Sequence, residues 1–133
     1  MESYAKTLYN WLSTFAETYR SPVQFDADNP QPAEYIEYSL VQGNFAEGVI
    51  QPITIYSKST SYKYVMETVD KIEQEVGESG VKLSGDVGYV WIMKGSPFYQ
   101  DKPDEDSSVR AGYVNLLIKT YQKGIKWNEE IYR

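Results

Sequence analysis

A chain of 133 residues is long enough for one domain whose core buries about two thirds of the unfolded surface, so it needs no disulfide or structural metal. It has no Cys and no His, which excludes thiol and imidazole catalysis and leaves zinc and iron without their usual ligands. A net charge of −6 disfavours a grip on a phosphate backbone. No apolar run reaches the roughly 18 residues of a membrane span, and the opening MESYAKTLYN lacks a signal-peptide pattern. The expectation is a soluble acidic domain made inside the cell, with no membrane contact and no cofactor.

Residues 2–20 carry Tyr4, Leu8, Trp11, Leu12, Phe15 and Tyr19, a spacing of three and four that predicts one amphipathic helix ending at Ser21-Pro22. The proline- and Asp-rich stretch 26–34 reads as a loop. At 33–41, Ile36, Tyr38 and Leu40 alternate with Glu37 and Ser39, which predicts a half-buried strand. A second strand follows at 49–56, where Pro52 requires an edge or a bulge. Ser57, Ser59 or Thr60 is expected to cap a helix over 61–76. Its apolar stripe is Tyr62, Val65, Met66, Val69, Ile72 and Val76, and Gly77 and Gly80 stop it.

Strands are predicted at 81–84 and 87–93, joined across Gly85-Asp86 as a hairpin or as one bent strand. Residues 94–110, KGSPFYQDKPDEDSSVR, then read as a loop. Residues 109–122 fit either a strand or a helix, and their β-branched and aromatic content favours a strand with a bulge at Gly112. The order α-β-β-α-β-β-β makes a single two-layer α+β domain over 1–122, with an antiparallel-rich sheet. The tail 123–133 is expected to take a fixed path only on assembly.

The chemistry-bearing candidates are few. Asp101, Asp104, Glu105 and Asp106 offer oxygen ligands, but Pro103 and the absence of a central glycine break the calcium-loop pattern. The same carboxylates could serve a hydrolase if held at a fixed separation in a cleft. Ser57 and Ser59 flank Lys58, yet their hydroxyls are better explained as caps. No nucleophile elbow, phosphate loop or dinucleotide turn occurs.

Charge is unevenly spread instead. Four carboxylates against Lys102 mark 101–106, while Lys119, Lys123, Lys126 and Arg133 outweigh Glu129 and Glu130 at 119–133. Opposite patches of this kind suit a head-to-tail contact between copies. The 13 tyrosines favour strands by propensity, and they also suit an interface.

The runs SKSTSYKYVMETVDKIEQEVGESGVKL and GYVWIMKGSPFYQDKPDEDSSVRAGYVNLLIKTY resemble the small tail-terminator, or minor capsid, proteins of long-tailed bacteriophages and prophages. The positions that carry the likeness are Ser59, Gly80, Ser96, Pro97, Phe98, Gln100, Asp104, Asp106, Arg110, Tyr113 and Asn115. LYNWLSTF and IEYSL fit the family's N-terminal half, whereas the tail KGIKWNEEIYR has no counterpart. The resemblance implies a mixed sheet with two helices on one side. It also implies a non-enzymatic virion protein that forms a ring, typically a hexamer, at the head-proximal end of the tail. Such a ring stops growth of the tail-tube protein, meets the head–tail connector protein, and lets DNA pass without specific binding. The protein would reside in the host cytoplasm before assembly.

On that footing 94–110 is expected to be an assembly arm. Pro97, Phe98, Tyr99 and Gln100 form a knuckle against a neighbouring copy, with Asp104 and Asp106 meeting basic groups, among them Lys119, Lys123 and Lys126. Arg110 ties the arm back to its own acidic run. Two other readings stay open: a monomeric module binding a peptide or ligand on the tyrosine-rich sheet, and a carboxylate-based hydrolase.

Overall fold

The protein is described from a computed structural model over residues 2–43, 47–85 and 88–122. The elements are α1 (Glu2–Leu12), β1 (Thr18–Arg20), β2 (Glu34–Tyr38), β3 (Val49–Ser57), α2 (Lys63–Val76), β4 (Val81–Gly85), β5 (Gly88–Lys102) and β6 (Arg110–Gln122). One six-stranded sheet runs β1-β2-β3-β6-β5-β4. The β1–β2 pair is parallel and every other pair antiparallel. α1 packs on β4, β5 and β1, and α2 on β3, β5 and β6. Both helices cover the same face, so the expected two-layer α+β architecture with a mixed, mostly antiparallel sheet is what the chain adopts.

The apolar periodicities build that core. Tyr4, Leu8, Trp11 and Leu12 of α1 and Val65, Val69, Ile72 and Val76 of α2 are buried. They meet Ile36, Ile53, Ile55, Val90, Ile92, Val114, Leu116 and Ile118 from alternate positions of the strands. Met66 is the exception in the predicted stripe, since it stands at the edge of the helix face and is 37% exposed.

α1 is shorter than its spacing predicts. The Ser13 hydroxyl donates to Tyr9 O and the Thr14 hydroxyl to Trp11 O, both at 2.7 Å, taking up carbonyls of the last turn. The chain then turns into β1, whose Thr18, Tyr19 and Arg20 pair with Ile36, Glu37 and Tyr38. Phe15 and Tyr19 continue the helical spacing without continuing the helix.

Strand β2 ends at Tyr38, short of the expected 41, and one side chain takes over its role. Gln51 is fully buried in β3. Its amide oxygen accepts from Val41 N–H at 2.8 Å, and its amide nitrogen donates to Ser39 O at 2.9 Å and Pro52 O at 2.8 Å. The neighbouring Pro52 lies beyond the last β2–β3 pair, Glu37↔Thr54, so it occupies the edge its missing N–H requires.

α2 begins two residues later than predicted. Its N-cap is Tyr62, with no side-chain cap bond, so none of Ser57, Ser59 and Thr60 caps it; the Ser61 hydroxyl, one residue earlier, accepts from Lys63 N–H at 3.1 Å. The helix stops as expected at Gly77 (φ 67°), with Gly80 (φ 87°) admitting the return into β4. The pairing Gly85↔Gly88 makes β4–β5 a hairpin, with a connection at 86 and 87 outside the described residues.

The largest departure is β5. A strand was expected to end at 93, but it runs to Lys102. Lys94 pairs with Leu116 and Tyr99 with Val114, so four residues of β5 oppose Asn115 alone. The Asn115 amide closes this wide bulge by donating to Pro97 O at 2.9 Å. Gly112, the expected bulge, is instead in register with Ile55 and Asp101.

Burial raises the phenol pKa of Tyr4 and Tyr99, and that of Tyr56 is pushed up to about 12. A pKa raised in the fold above the unfolded value near 10.0 gives stability that is complete below pH 10 and lost as pH rises through the folded value. Melting temperature is therefore expected to fall steeply above pH 10, in step with the 295 nm phenolate absorbance.

Candidate interaction surfaces

The predicted arm divides into a strand and a self-bonded turn. Pro97 and Gln100 are exposed, whereas Phe98 and Tyr99 are half-buried against the core. The Lys94 ammonium stands 5.6 Å from the Phe98 ring centroid and also pairs with Glu73 of α2 at 2.9 Å. The Tyr99 ring lies over Gly112, and its hydroxyl donates to Asp101 Oδ1 at 2.7 Å.

Past Lys102 the carboxylates act as local acceptors. Asp104 Oδ1 accepts from Asp106 N–H at 2.9 Å, and Asp106 Oδ1 accepts from the Ser108 N–H and hydroxyl at 2.8 and 2.6 Å. The Ser108 bonds hold the Asp106 carboxyl below the usual range. Arg110 does secure the loop, but through backbone: its guanidinium donates to Ser107 O and Val109 O and lies 5.7 Å from the Tyr62 ring centroid. Among the described residues no group of His, Cys, Asp and Glu has the geometry to hold a metal.

Lys119 sits nine residues along β6 from Arg110, roughly 30 Å from the acidic loop at 3.3 Å per residue. The acidic loop and Lys119 thus lie at opposite ends of the β5–β6 ribbon. Lys123 and Lys126 fall outside the described residues, as does the tail 123–133.

Strand register reveals a second surface on the helix-free face. Met93, Leu117 and Ile50 form one row across three strands. Lys82, Trp91 and Lys119 form the next. Ile50 is 45% exposed, and Met93, Leu117 and Trp91 are half-buried. Lys82 Nζ stands 5.0 Å and Lys119 Nζ 5.9 Å from the Trp91 ring, so two ammonium groups bracket one indole. Tyr89 and Tyr121 stack beside them with centroids 4.7 Å apart.

The other end of this face is roofed by its own chain. Tyr19, Phe25, Tyr35 and Tyr56 form a linked set of ring contacts there, brought together by β1 and the loop after it. The Met93–Leu117–Ile50 row was missed by sequence reasoning, although a signal existed. VGYVWIM and VNLLI are near-continuous apolar runs, the pattern of strands covered on both faces.

A groove of about 410 Å³ lies between α1 and edge strand β4, lined by Thr7, Asn10, Trp11, Lys82, Leu83 and Ser84. Among the described residues the buried Trp11 indole N–H has no hydrogen-bond partner.

Comparison of the chain with protein-family models, with curated proteins and with solved structures finds no match in any of the three.

Proposed function

We propose that this chain is a non-enzymatic assembly protein of a long-tailed phage or prophage. It forms a ring at the head-proximal end of the tail, ends growth of the tail-tube protein and joins the tail to the head connector. The observation that carries this reading is the helix-free face. Ile50, Leu117, Met93 and Trp91 are more apolar than a solvated sheet face requires, and their strands read as covered on both sides. The sequence likeness over most of residues 4–122 points the same way. An acidic ring wall lets DNA pass without holding it.

Asp106 does not suit the general acid of a hydrolase. It is exposed and held ionised, the opposite of a general acid with a raised pKa. The second reading, a monomeric peptide-binding module, draws on the α1–β4 groove. There an extended peptide would pair with the exposed side of edge strand β4, beside Lys82 and Ser84.

The test is to polymerise phage tail tubes with and without the protein and image them by electron microscopy. Shorter tubes carrying a ring at one end are expected. Tubes of unchanged length with bare ends would refute the proposal.

Phe98→Ala separates the arm's internal role from its external one. Removing a half-buried ring is expected to cost roughly 1.5 kcal/mol, or about 6 °C in Tm, by calorimetry. If the exposed part of the ring also meets a neighbour, assembly weakens beyond what lost stability explains.

A further inference from the structure

The helix-free face and the outer side of α2 are complementary in charge and lie on opposite faces of the same sheet. The first presents Lys82 and Lys119 on either side of Trp91, beside the row Met93, Leu117 and Ile50. The second presents Met66, 37% exposed, with Glu67 and Asp70 beside it, both exposed. α2 as a whole carries Glu67, Asp70, Glu73 and Glu75 against Lys63 and Lys71.

We infer that the α2 of a second copy docks on the Lys82–Trp91–Lys119 plate. Met66 meets the apolar row, and Glu67 and Asp70 reach the two ammonium groups. This deepens the ring proposal and rests on it, by naming which surfaces meet.

Three physical arguments favour this occupant. A helix is the element that covers an apolar sheet face, and a neighbour's α2 completes a three-layer packing that the monomer leaves half-built. The charges are opposite, so encounter is steered and register is fixed. Because the plate and α2 sit on opposite sides of one sheet, each copy offers both halves of the contact. Such a contact is head-to-tail and closes into a ring when the rotation permits, whereas a two-fold dimer would leave both surfaces unmatched.

The inference separates from the ring proposal through charge reversal. Lys82→Glu/Lys119→Glu and Glu67→Lys/Asp70→Lys are each followed by sedimentation velocity at low salt, alone and mixed in equal amounts. Circular dichroism checks that both fold, and the α2 sites are exposed, so that variant stays informative if the plate variant does not fold.

Each variant alone is expected to weaken self-association roughly tenfold or more, and the mixture is expected to assemble in alternation. A wild-type assembly that neither reversal weakens would overturn the docking surfaces and leave the ring proposal standing. The same holds if the α2 reversal has no effect while the plate reversal does, since the plate would then be taking another occupant. A wild-type chain that stays monomeric at every concentration would overturn the inference, while tube capping decides the function independently.

Discussion

Replacing Gln51 with alanine is expected to cost about 3 kcal/mol, lowering Tm by roughly 10 °C. The side chain is fully buried and makes three hydrogen bonds, two of which, to Val41 and Ser39, substitute for a strand pair between β3 and residues 39–41. Its removal leaves Val41 N–H and the Ser39 carbonyl without partners, which costs more than the net worth of the bonds themselves. Tyr4 is affected as well, because its hydroxyl donates to Val41 O at 2.8 Å and ties α1 to the same segment.

Gln51→Glu sharpens the test. One carboxylate oxygen can still accept from Val41 N–H, but the other would face the Ser39 and Pro52 carbonyls in a dry site. The folded state would favour the protonated acid, so its pKa would be raised. The variant is then more stable at pH 4 than at pH 7, and stability is lost as pH rises. Denaturant melts at the two pH values measure this. A Gln51→Glu protein equally stable at both would mean that the segment 39–41 does not depend on the buried amide.

The second large effect concerns Gly112 and Tyr99. A Cβ at Gly112 would lie 2.4 Å from Tyr99 Cε1 and 2.5 Å from its hydroxyl oxygen. Gly112→Ala is therefore expected to cost about 2 kcal/mol by displacing the ring and breaking its bond to Asp101. Tyr99→Ala empties the same space. In that background the glycine substitution should be close to neutral, because the methyl group fills what the ring has left. A double-mutant cycle by chemical denaturation reads the coupling directly. Additive costs would show that the ring-over-glycine contact does not secure the resumed half of β5.

These two sites show what the sequence does and does not make legible. α2 was readable because Val65, Val69, Ile72 and Val76 repeat at helical spacing and Gly77 ends them. β6 was readable as a strand from its β-branched and aromatic content, and Gly112, Val114, Leu116 and Ile118 face the core as alternation predicts. α1 was overextended because Phe15 and Tyr19 fall at helical spacing by coincidence. The local hydroxyls of Ser13 and Thr14 and the distant partner β2 decided the outcome.

The continuation of β5 was hidden by Gly95-Ser96-Pro97, which reads as a turn. Only pairing with β6, with Tyr99 seated over Gly112, returns that segment to the sheet. The arm residues are neighbours in sequence, yet their geometry divides them between core packing, a bulge and a self-bonded acidic turn. The Lys82–Trp91–Lys119 row is invisible in the linear chain, because its members come from three strands and meet only once the register is set. Lys119 was singled out from charge alone, and its place beside Trp91 was not foreseeable.

Self-assembly is the central claim, and mass by light scattering across a concentration series at low and high salt tests it most directly. A closed assembly of several copies that dissociates as salt rises is the expected result, since screening weakens contacts between exposed charges. A monomer at every concentration and both salts would contradict it.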